Sequence, residues 1–228
     1  TNFLYAVSNV VKRDEVWAND YQYREGRPAD ALYALESLGF FADDADIQSS
    51  PYQAFGQVKP GDIKYKDQNG DGVIDQNDEV QIGNSTPRFS YGLHATLRFK
   101  NLSLFALGTG FSGAERYYNG QYFWVQGNDR YSEEVLNRWT PATAATATYP
   151  RLTSGNSPNN FRNSTFWLHN NNSFTLSRVQ LSYDLPRTLT NRWAVKNIGF
   201  YVRGINLLTV GENAEKQQLR IGSEPMYR

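Results

Sequence analysis

The clearest pattern along the chain is an alternation of apolar and polar positions over residues 88–99. The apolar positions are Phe89, Tyr91, Leu93, Ala95, Leu97 and Phe99, and the polar ones include Arg88, His94, Thr96 and Arg98. A period of two places successive side chains on opposite faces of a strand. Lys100 and Asn101 can turn the chain, and alternation resumes from Leu102, so the pattern predicts a β-hairpin.

Three further segments complete the strand prediction. Residues 174–185 alternate in the same way and end at Pro186, and residues 197–209 predict a partner strand for them. The aromatic and β-branched start of the chain, residues 2–13, predicts a fifth strand. Helical patterns are short and occur only at 29–41 and 132–139.

The connections between these strands alternate in length. The turns at 100–101 and 186–196 are short, whereas the stretches 14–87, 112–173 and beyond 209 are long. Strands that run up and down then place the short turns at one end of the sheet and the long segments at the other. Outer-membrane barrels have this asymmetry, with short periplasmic turns and long extracellular loops. The alternation by itself leaves open whether the apolar face contacts lipid or the core of a soluble sandwich.

Composition narrows the classes of function. Aromatic residues make up 14% of the chain and Met occurs once, a bias that favours strands. Lys plus Arg equals Asp plus Glu at 23 each, so no net charge attracts nucleic acid. The absence of cysteine excludes disulfides, thiolate metal sites and cysteine nucleophiles. No apolar run of about 18 residues occurs, so we expect neither a spanning helix nor a secretory start.

An acidic loop, DQNGDGVIDQND at residues 67–78, has the register of a calcium-binding loop. Such loops place oxygen ligands at positions 1, 3, 5, 7, 9 and 12 and glycine at position 6. The predicted ligands are Asp67, Asn69, Asp71, the Val73 carbonyl, Asp75 and Asp78, with Gly72 at the turn. The pattern predicts a structural calcium ion. The alternative is a solvated turn in which Asp and Asn side chains bond their own backbone.

An aromatic stretch at residues 117–131 is the second candidate site. Tyr117, Tyr118, Tyr122 and Trp124 would offer flat faces to a sugar or a partner protein. The alternatives are packing of a long loop against itself and an aromatic girdle at a membrane interface. His94 and His169, the two histidines, lie far apart, so we expect structural roles for both. No catalytic motif occurs, and we expect no enzyme.

A series of motifs runs in order through nearly the whole chain. They are REGRP (24–28), LGFF (38–41), PGDIKYKDQNGDGVIDQNDEVQIGNSTPRFSYGL (60–93), NRWTP (137–141), YPRL (149–152), SFTLSRVQLSYDLP (173–186) and GINLLT (204–209). The central block, GDIKYKD leading into NGDGVID and then IGN, is the most specific. In these motifs the chain resembles the C-terminal part of the SusC/RagA family of TonB-linked (TonB-dependent) outer-membrane proteins of Bacteroidetes.

The resemblance implies a fold and a location. The fold is all-β, with residues 1–228 forming antiparallel strands in the C-terminal portion of a transmembrane β-barrel of about 22 strands. Residues 14–87, which include the acidic loop, and residues 112–173 would be long extracellular loops. The location is the bacterial cell outer membrane, in contact with its lipid. Five strands cannot close a barrel, so we expect this chain to be part of a longer one.

The resemblance also implies a function. It is uptake of glycans or peptides by a TonB-dependent transporter that works with a SusD-like surface lipoprotein. The TonB complex would act through an N-terminal part, with its plug and TonB box, that has no counterpart in this sequence. An alternative is a soluble, secreted, calcium-stabilised β domain that binds carbohydrate through Tyr122, Trp124 and their neighbours. A hydrolase has only the abundance of carboxylates in its favour.

Overall fold

The computed structural model describes residues 1–127, 129–193 and 195–211. In chain order the strands are β1 (Asn2–Tyr5), β2 (Ala31–Ala34), β3 (Ser37–Phe40), β4 (Tyr52–Gln53), β5 (Ile63–Tyr65), β6 (Val73–Ile74), β7 (Val80–Asn84), β8 (Phe89–Phe99), β9 (Leu102–Ser112), β10 (Glu115–Tyr117), β11 (Leu168–Asn170), β12 (Ser173–Asp184) and β13 (Gly199–Val210). The α-helices are α1 (Asp44–Gln48) and α2 (Arg187–Thr190), and 3-10 helices span Asp20–Gln22, Gln76–Asp78, Glu133–Asn137 and Asn191–Trp193. Within these described ranges, no helix is long and apolar enough to cross a membrane.

Five strands form one antiparallel sheet in the order β1, β8, β9, β12, β13. The four long strands lie within one or two residues of the segments predicted from the alternation. β8 and β9 pair in continuous register from Phe89↔Ser112 to Phe99↔Leu102, as the predicted hairpin requires. The all-β, antiparallel class is therefore confirmed.

The first strand is shorter than the predicted 2–13. It ends at Tyr5, after which the Ala6 amide donates to the Arg88 carbonyl at 3.0 Å. Residues 8–10 then bond to another segment, since the Val10 amide donates to the Arg27 carbonyl at 2.9 Å. The β-branched residues that suggested one long strand are thus divided between two partners.

The chain forms two compact units. The strand unit contains residues 1–7, 86–114 and the described residues from 170 to 211, and the loop unit contains residues 8–85 and 115–169. The residues at which the chain leaves or enters the strand unit are Val7, Thr86, Ala114 and Asn170. All four lie at one end of the sheet, because Tyr5 pairs with Phe89 and Ser173 pairs with Phe111. The short connections, Lys100–Asn101 and 185–198, lie at the other end.

The loop unit has its own core. Its buried apolar cluster is Leu35, Ile63, Tyr65, Ile74, Tyr118, Phe123, Val125, Val135, Tyr149, Phe161 and Trp167. Both long segments contribute to this cluster, four residues from the first and seven from the second, so neither completes the core alone. Two-stranded ribbons frame it, including β2 with β7, β3 with β5 and β10 with β11.

The helix predicted at 29–41 is wrong. This segment forms β2 and β3, which pair with β7 and β5. Gly39, with a φ of 102°, and the burial of Ala34 and Leu35 explain the outcome, since tertiary pairing overrides the modest helix propensity of Ala and Leu. The second predicted helix, at 132–139, is reduced to a 3-10 helix from Glu133 to Asn137.

Candidate functional site

One face of the sheet is a continuous apolar surface. Cross-strand pairing joins its residues into rows, which are Phe99–Leu102–Tyr183–Phe200, Leu97–Leu104–Leu181–Val202 and Ala95–Ala106–Val179–Gly204. The large side chains of the first two rows are exposed, with Leu97 at 67% and Val202 at 76%, whereas Ala106 and Val179 in the third row are half-buried. An apolar face this large and this exposed is typical of a surface that contacts lipid or a partner.

The opposite face is mixed and holds most of the polar side chains of the sheet. Its rows are His94–Leu107–Arg178–Ile205, Thr96–Phe105–Gln180–Arg203 and Arg98–Ser103–Ser182–Tyr201. Arg203 Nε donates to Gln180 Oε1 at 2.8 Å, and Gln180 Nε2 donates to Ser182 Oγ at 3.0 Å. The pairing thus places His94 and Arg98 away from the apolar face, as the sequence alternation predicted.

Aromatic rings frame the apolar face at both ends of the strands. At the end near the long segments, Phe3 stacks on Phe89 at 5.7 Å, and Tyr91 stacks on Phe174 at 6.2 Å across Gly110. At the other end lies the row that begins with Phe99. The eight residue-to-residue steps from Tyr91 to Phe99 span about 26 Å along a strand. With a strand tilt of about 40°, this span corresponds to a height of about 20 Å, compared with about 25 Å for the apolar band of an outer-membrane barrel.

The acidic loop is held by its own side chains. Asp67 accepts from the amides of Gly70 and Gly72 at 2.7 and 2.9 Å, and Asp71 accepts from the Val73 amide at 2.8 Å. Asp78 is fully buried and accepts from the amides of Gln68 and Asp75. These bonds fix the loop as a set of Asx turns.

A second segment of the loop unit holds the end of the acidic loop. Tyr21 Oη donates to the Asn77 carbonyl at 2.6 Å, and Gln22 Nε2 donates to the Gln76 carbonyl at 3.0 Å. Burial and the nearby carboxylates of Asp78, Asp67, Asp71 and Asp75 raise the pKa of the Tyr21 hydroxyl. The four Asp side chains therefore lie close enough to Tyr21 for their charges to act on it.

The predicted calcium ligands keep their sequence register, but their carboxylates accept backbone bonds within the loop. Among the described residues, no three His, Asp or Glu side chains are arranged to hold a metal ion. A carboxylate has about four lone-pair positions, so these backbone bonds leave acceptor capacity on Asp67 and Asp71. Asp71 is exposed and Asp67 is half-buried. Calcium binding stays a prediction.

The four aromatic residues of the second candidate site pack in the loop unit. Tyr118 is 6% exposed and stacks on Phe123 and His169, both at 4.3 Å. Trp124 packs against Phe161 and Trp167. The arrangement matches the alternative in which the loop packs against itself, and it leaves Tyr118 little surface for a ligand.

The polar atoms of this aromatic group differ in their partners. Tyr122 Oη donates to Glu133 Oε1 at 3.1 Å, and burial together with this bond raises the pKa of Tyr122 to about 12. Tyr117 Oη and Trp124 Nε1 are buried and have no hydrogen-bond partner within the described part of the chain. As they are buried, no ligand at the surface of the loop unit reaches these two donors. Contact of the group with a ligand or partner stays a prediction.

A buried polar network joins the two long segments and was missed by the sequence analysis. Asn160 Nδ2 donates to Asp62 Oδ1 at 2.8 Å, and the Ile63 amide donates to Asn160 Oδ1 at 2.9 Å. Gln53 Nε2 donates to Asn159 Oδ1 at 2.6 Å. All of these side chains are at most 2% exposed.

An ion pair completes the network. Asp62 accepts from Arg151 Nη2 at 3.0 Å, and Arg151 Nε lies 2.8 Å from the other carboxylate oxygen. Buried polar groups of this kind are retained when every partner is satisfied. The sequence signals were the Pro-Gly-Asp turn at 60–62 and the Asn pair at 159–160, which a hydrophobicity pattern does not weigh.

Two curated proteins of Formosa agariphila are similar to this chain in sequence. "TonB-dependent receptor P26" is 32% identical over 186 residues, and "TonB-dependent receptor P3" is 24% identical over 186 residues. The matches cover 80% and 82% of this chain but only 18% of each receptor. No protein-family model matches the chain.

Solved structures share the fold. The RagAB peptide importer in its open-open state matches with a TM-score of 0.62 and 22% identity, over 87% of this chain and 20% of that one. A structure of the RagAB peptide transporter matches with a TM-score of 0.60 and 24% identity, over 85% of this chain and 21% of that one. None of these proteins is named as an enzyme, consistent with the expected lack of catalysis.

The sequence matches, the shared fold and the exposed apolar face agree with one another and with the motif resemblance. The chain covers about a fifth of the proteins it matches, so it corresponds to a part of them. It is a segment of a TonB-dependent receptor of the SusC/RagA type, a bacterial outer-membrane protein.

Proposed function

We propose that this chain supplies part of the barrel wall and of the outward-facing loops of an outer-membrane importer driven by TonB. The observation that carries the proposal is the sheet, whose exposed apolar face is framed by aromatic rings and whose long connections leave from one end. Lipid cannot satisfy the unpaired backbone of an open edge, so β1 and β13 would pair with further strands of the receptor.

In this proposal the chain contributes structure and access, and it makes or breaks no bonds. The loop unit faces outward and forms part of a vestibule, which a SusD-like lipoprotein covers. Cargo binding closes the cover, and force transmitted by the TonB complex to a plug elsewhere in the receptor opens the path inward. The fold likeness to the RagAB peptide importer supports this arrangement.

The proposed cargo is a glycan or a peptide. Both classes bind well to rigid aromatic faces and to fixed hydrogen-bond donors. Tyr117 Oη and Trp124 Nε1 lack partners in the described chain, and in this proposal a local opening of the loop unit presents these two buried donors to cargo. We also propose that the acidic loop binds a structural calcium ion, on the support of its twelve-residue register.

A soluble domain, the alternative function, would need a layer that covers the apolar face. Leu97, Phe99, Phe200 and Val202 are all more than 60% exposed, so the described residues do not provide that layer. Lipid contact explains their exposure directly.

Site-directed spin labelling of the intact receptor in bilayers tests the proposal. Leu93 and Thr96 lie on opposite faces of β8, and this chain has no cysteine of its own. We expect the label on Leu93→Cys to be relaxed by oxygen, which concentrates in lipid, and the label on Thr96→Cys by a water-soluble nickel chelate. Equal accessibility of the two labels to the nickel chelate would contradict a lipid-facing wall.

A further inference from the structure

The end of the sheet with the short connections has an uneven charge. The basic residues of segments 98–103 and 183–200 are Arg98, Lys100, Arg187, Arg192 and Lys196, and their one acidic residue is Asp184. The whole chain has 23 basic and 23 acidic residues, so this end departs from the average. We call it the short-connection rim.

The two short connections are bonded side by side. Asn101 Nδ2 donates to the Asp184 carbonyl at 2.7 Å, and the Asp184 amide donates to the Asn101 carbonyl at 2.9 Å. The Leu185 amide donates to the Ile198 carbonyl at 2.8 Å, which closes the longer connection at its base. The cations of both connections therefore belong to one surface.

Large apolar side chains are exposed among these cations. Leu189 is 41% exposed, Trp193 60% and Val195 40%. They lie on the helical stretch from α2 to the following 3-10 helix and just after it, and Arg187, Arg192 and Lys196 are exposed beside them. A soluble surface would be expected to hide such side chains, whereas a bilayer interface accommodates Trp at headgroup level and apolar groups just below it.

The rim is continuous with the apolar face. Phe99, Tyr183 and Phe200 belong to the last row of that face, and each lies within two residues of a short connection. A cation placed directly beyond the last apolar row is at the depth where lipid phosphates begin. Lys100 shows the arrangement, since its Nζ lies 5.4 Å from the Phe99 ring centre.

We propose that the short-connection rim binds anionic phospholipid headgroups of the adjacent leaflet. This inference rests on the proposed function, because it requires the sheet to span a bilayer. Arg187, Arg192 and Lys196 contact the phosphates, and Trp193 inserts at the glycerol level with Leu189 and Val195 below it. Each cation at such a surface strengthens binding to anionic lipid by about fivefold. Charge complementarity and continuity with the apolar face favour lipid over a protein occupant.

The test uses the intact receptor in mixed bilayers of phosphatidylcholine and phosphatidylglycerol, with one lipid brominated at a time. The fluorescence lost on Trp193→Phe substitution isolates Trp193 from the other tryptophans. We expect brominated phosphatidylglycerol to quench this signal more strongly than brominated phosphatidylcholine at equal content.

Two triple variants separate local from overall charge. Arg187→Gln with Arg192→Gln and Lys196→Gln should reduce the preference for phosphatidylglycerol by at least about fivefold. Lys12→Gln with Arg13→Gln and Arg130→Gln, which removes the same charge from exposed positions of the loop unit, should leave it unchanged.

The outcomes distinguish this inference from the proposed function. Equal quenching by the two lipids in the unmodified receptor would overturn the anionic preference while leaving the barrel wall intact. Quenching of Trp193 by neither lipid, with the Leu93 label still in the bilayer, would place the rim outside the membrane and overturn the inference alone. If neither Trp193 nor the Leu93 label contacts lipid, the proposed function fails and the inference with it.

Discussion

At the scale of single residues, the glycine of the loop unit with the least room for a side chain is Gly61, which lies against Trp139. A Cβ atom built on Gly61 would lie 2.3 Å from Trp139 Cε3 and 2.5 Å from Cδ2, and the backbone there has a φ of 86°. The Gly61 carbonyl also accepts from the Arg151 amide at 3.0 Å. This glycine therefore meets two demands, a left-handed backbone and a close indole ring.

Gly61→Ala should destabilise the loop unit strongly. Left-handed backbone alone costs an alanine about 1–2 kcal/mol, and displacement of the indole ring adds about 1–3 kcal/mol. Gly26→Ala is the matched control, because Gly26 has a φ of 77° and no heavy atom within 4 Å of the added Cβ. The loss of stability in each of the two variants is measured by unfolding the receptor in denaturant, with the protease sensitivity of the loop unit as the readout. Equal losses for the two variants would contradict the close approach.

The buried Tyr149 makes the stability of the loop unit depend on pH in the alkaline range. Burial raises the pKa of this tyrosine to about 12 from its ordinary value of 10.0, and its hydroxyl donates to the Phe123 carbonyl at 2.7 Å. The folded state holds the proton more tightly than the unfolded state. The contribution of the protonated Tyr149 hydroxyl to the free energy of unfolding is therefore complete below pH 10 and is lost as the pH rises towards 12. Urea midpoints measured across this range should fall, and Tyr149→Phe should make the fall shallower; a slope unchanged by the substitution would contradict this account.

At the scale of elements, the strands with strict alternation were predictable and the loop unit was not. β8, β9, β12 and β13 each have 11 or 12 residues, long enough for a period of two to stand out. Strands such as β4 and β6 have two residues each and leave no periodicity. Their positions depend on partners such as Asn159, whose burial follows from polar contacts far along the chain.

For the acidic loop, we predict that calcium binding stabilises the folded loop unit. Calcium should raise the melting temperature of the receptor's loop unit, since an ion that binds only the folded state stabilises it by mass action. Asp67→Ala with Asp71→Ala should abolish the gain, because both side chains are predicted ligands. Asp14→Ala with Asp44→Ala, which removes two exposed carboxylates outside the loop, should retain it. Melting curves that chelator leaves unmoved would refute the calcium prediction.

At the scale of the whole molecule, the five-stranded sheet has two edges that pair with nothing in the described chain. In a bilayer such edges have to pair with further strands. We therefore expect the native protein that carries this sequence to be several times longer, soluble only in detergent and purified with a surface lipoprotein. The test is to purify the protein from its source membrane and to measure its intact mass and whether it stays soluble without detergent. A detergent-free, monodisperse chain of this size would favour the soluble domain.

The buried network between the two long segments has a consequence for biogenesis. Asp62 and Ile63 bond to Asn160, 98 and 97 residues further along the chain. A chain that emerges N-terminus first therefore presents residues 8–85 before their partners exist. The hairpin strands β8 and β9 lie between the two long segments in the chain, which lengthens this interval. Until Asn160 has been synthesised, the first long segment exposes its four residues of the apolar cluster, and it would need protection from proteases or from misassociation during this interval.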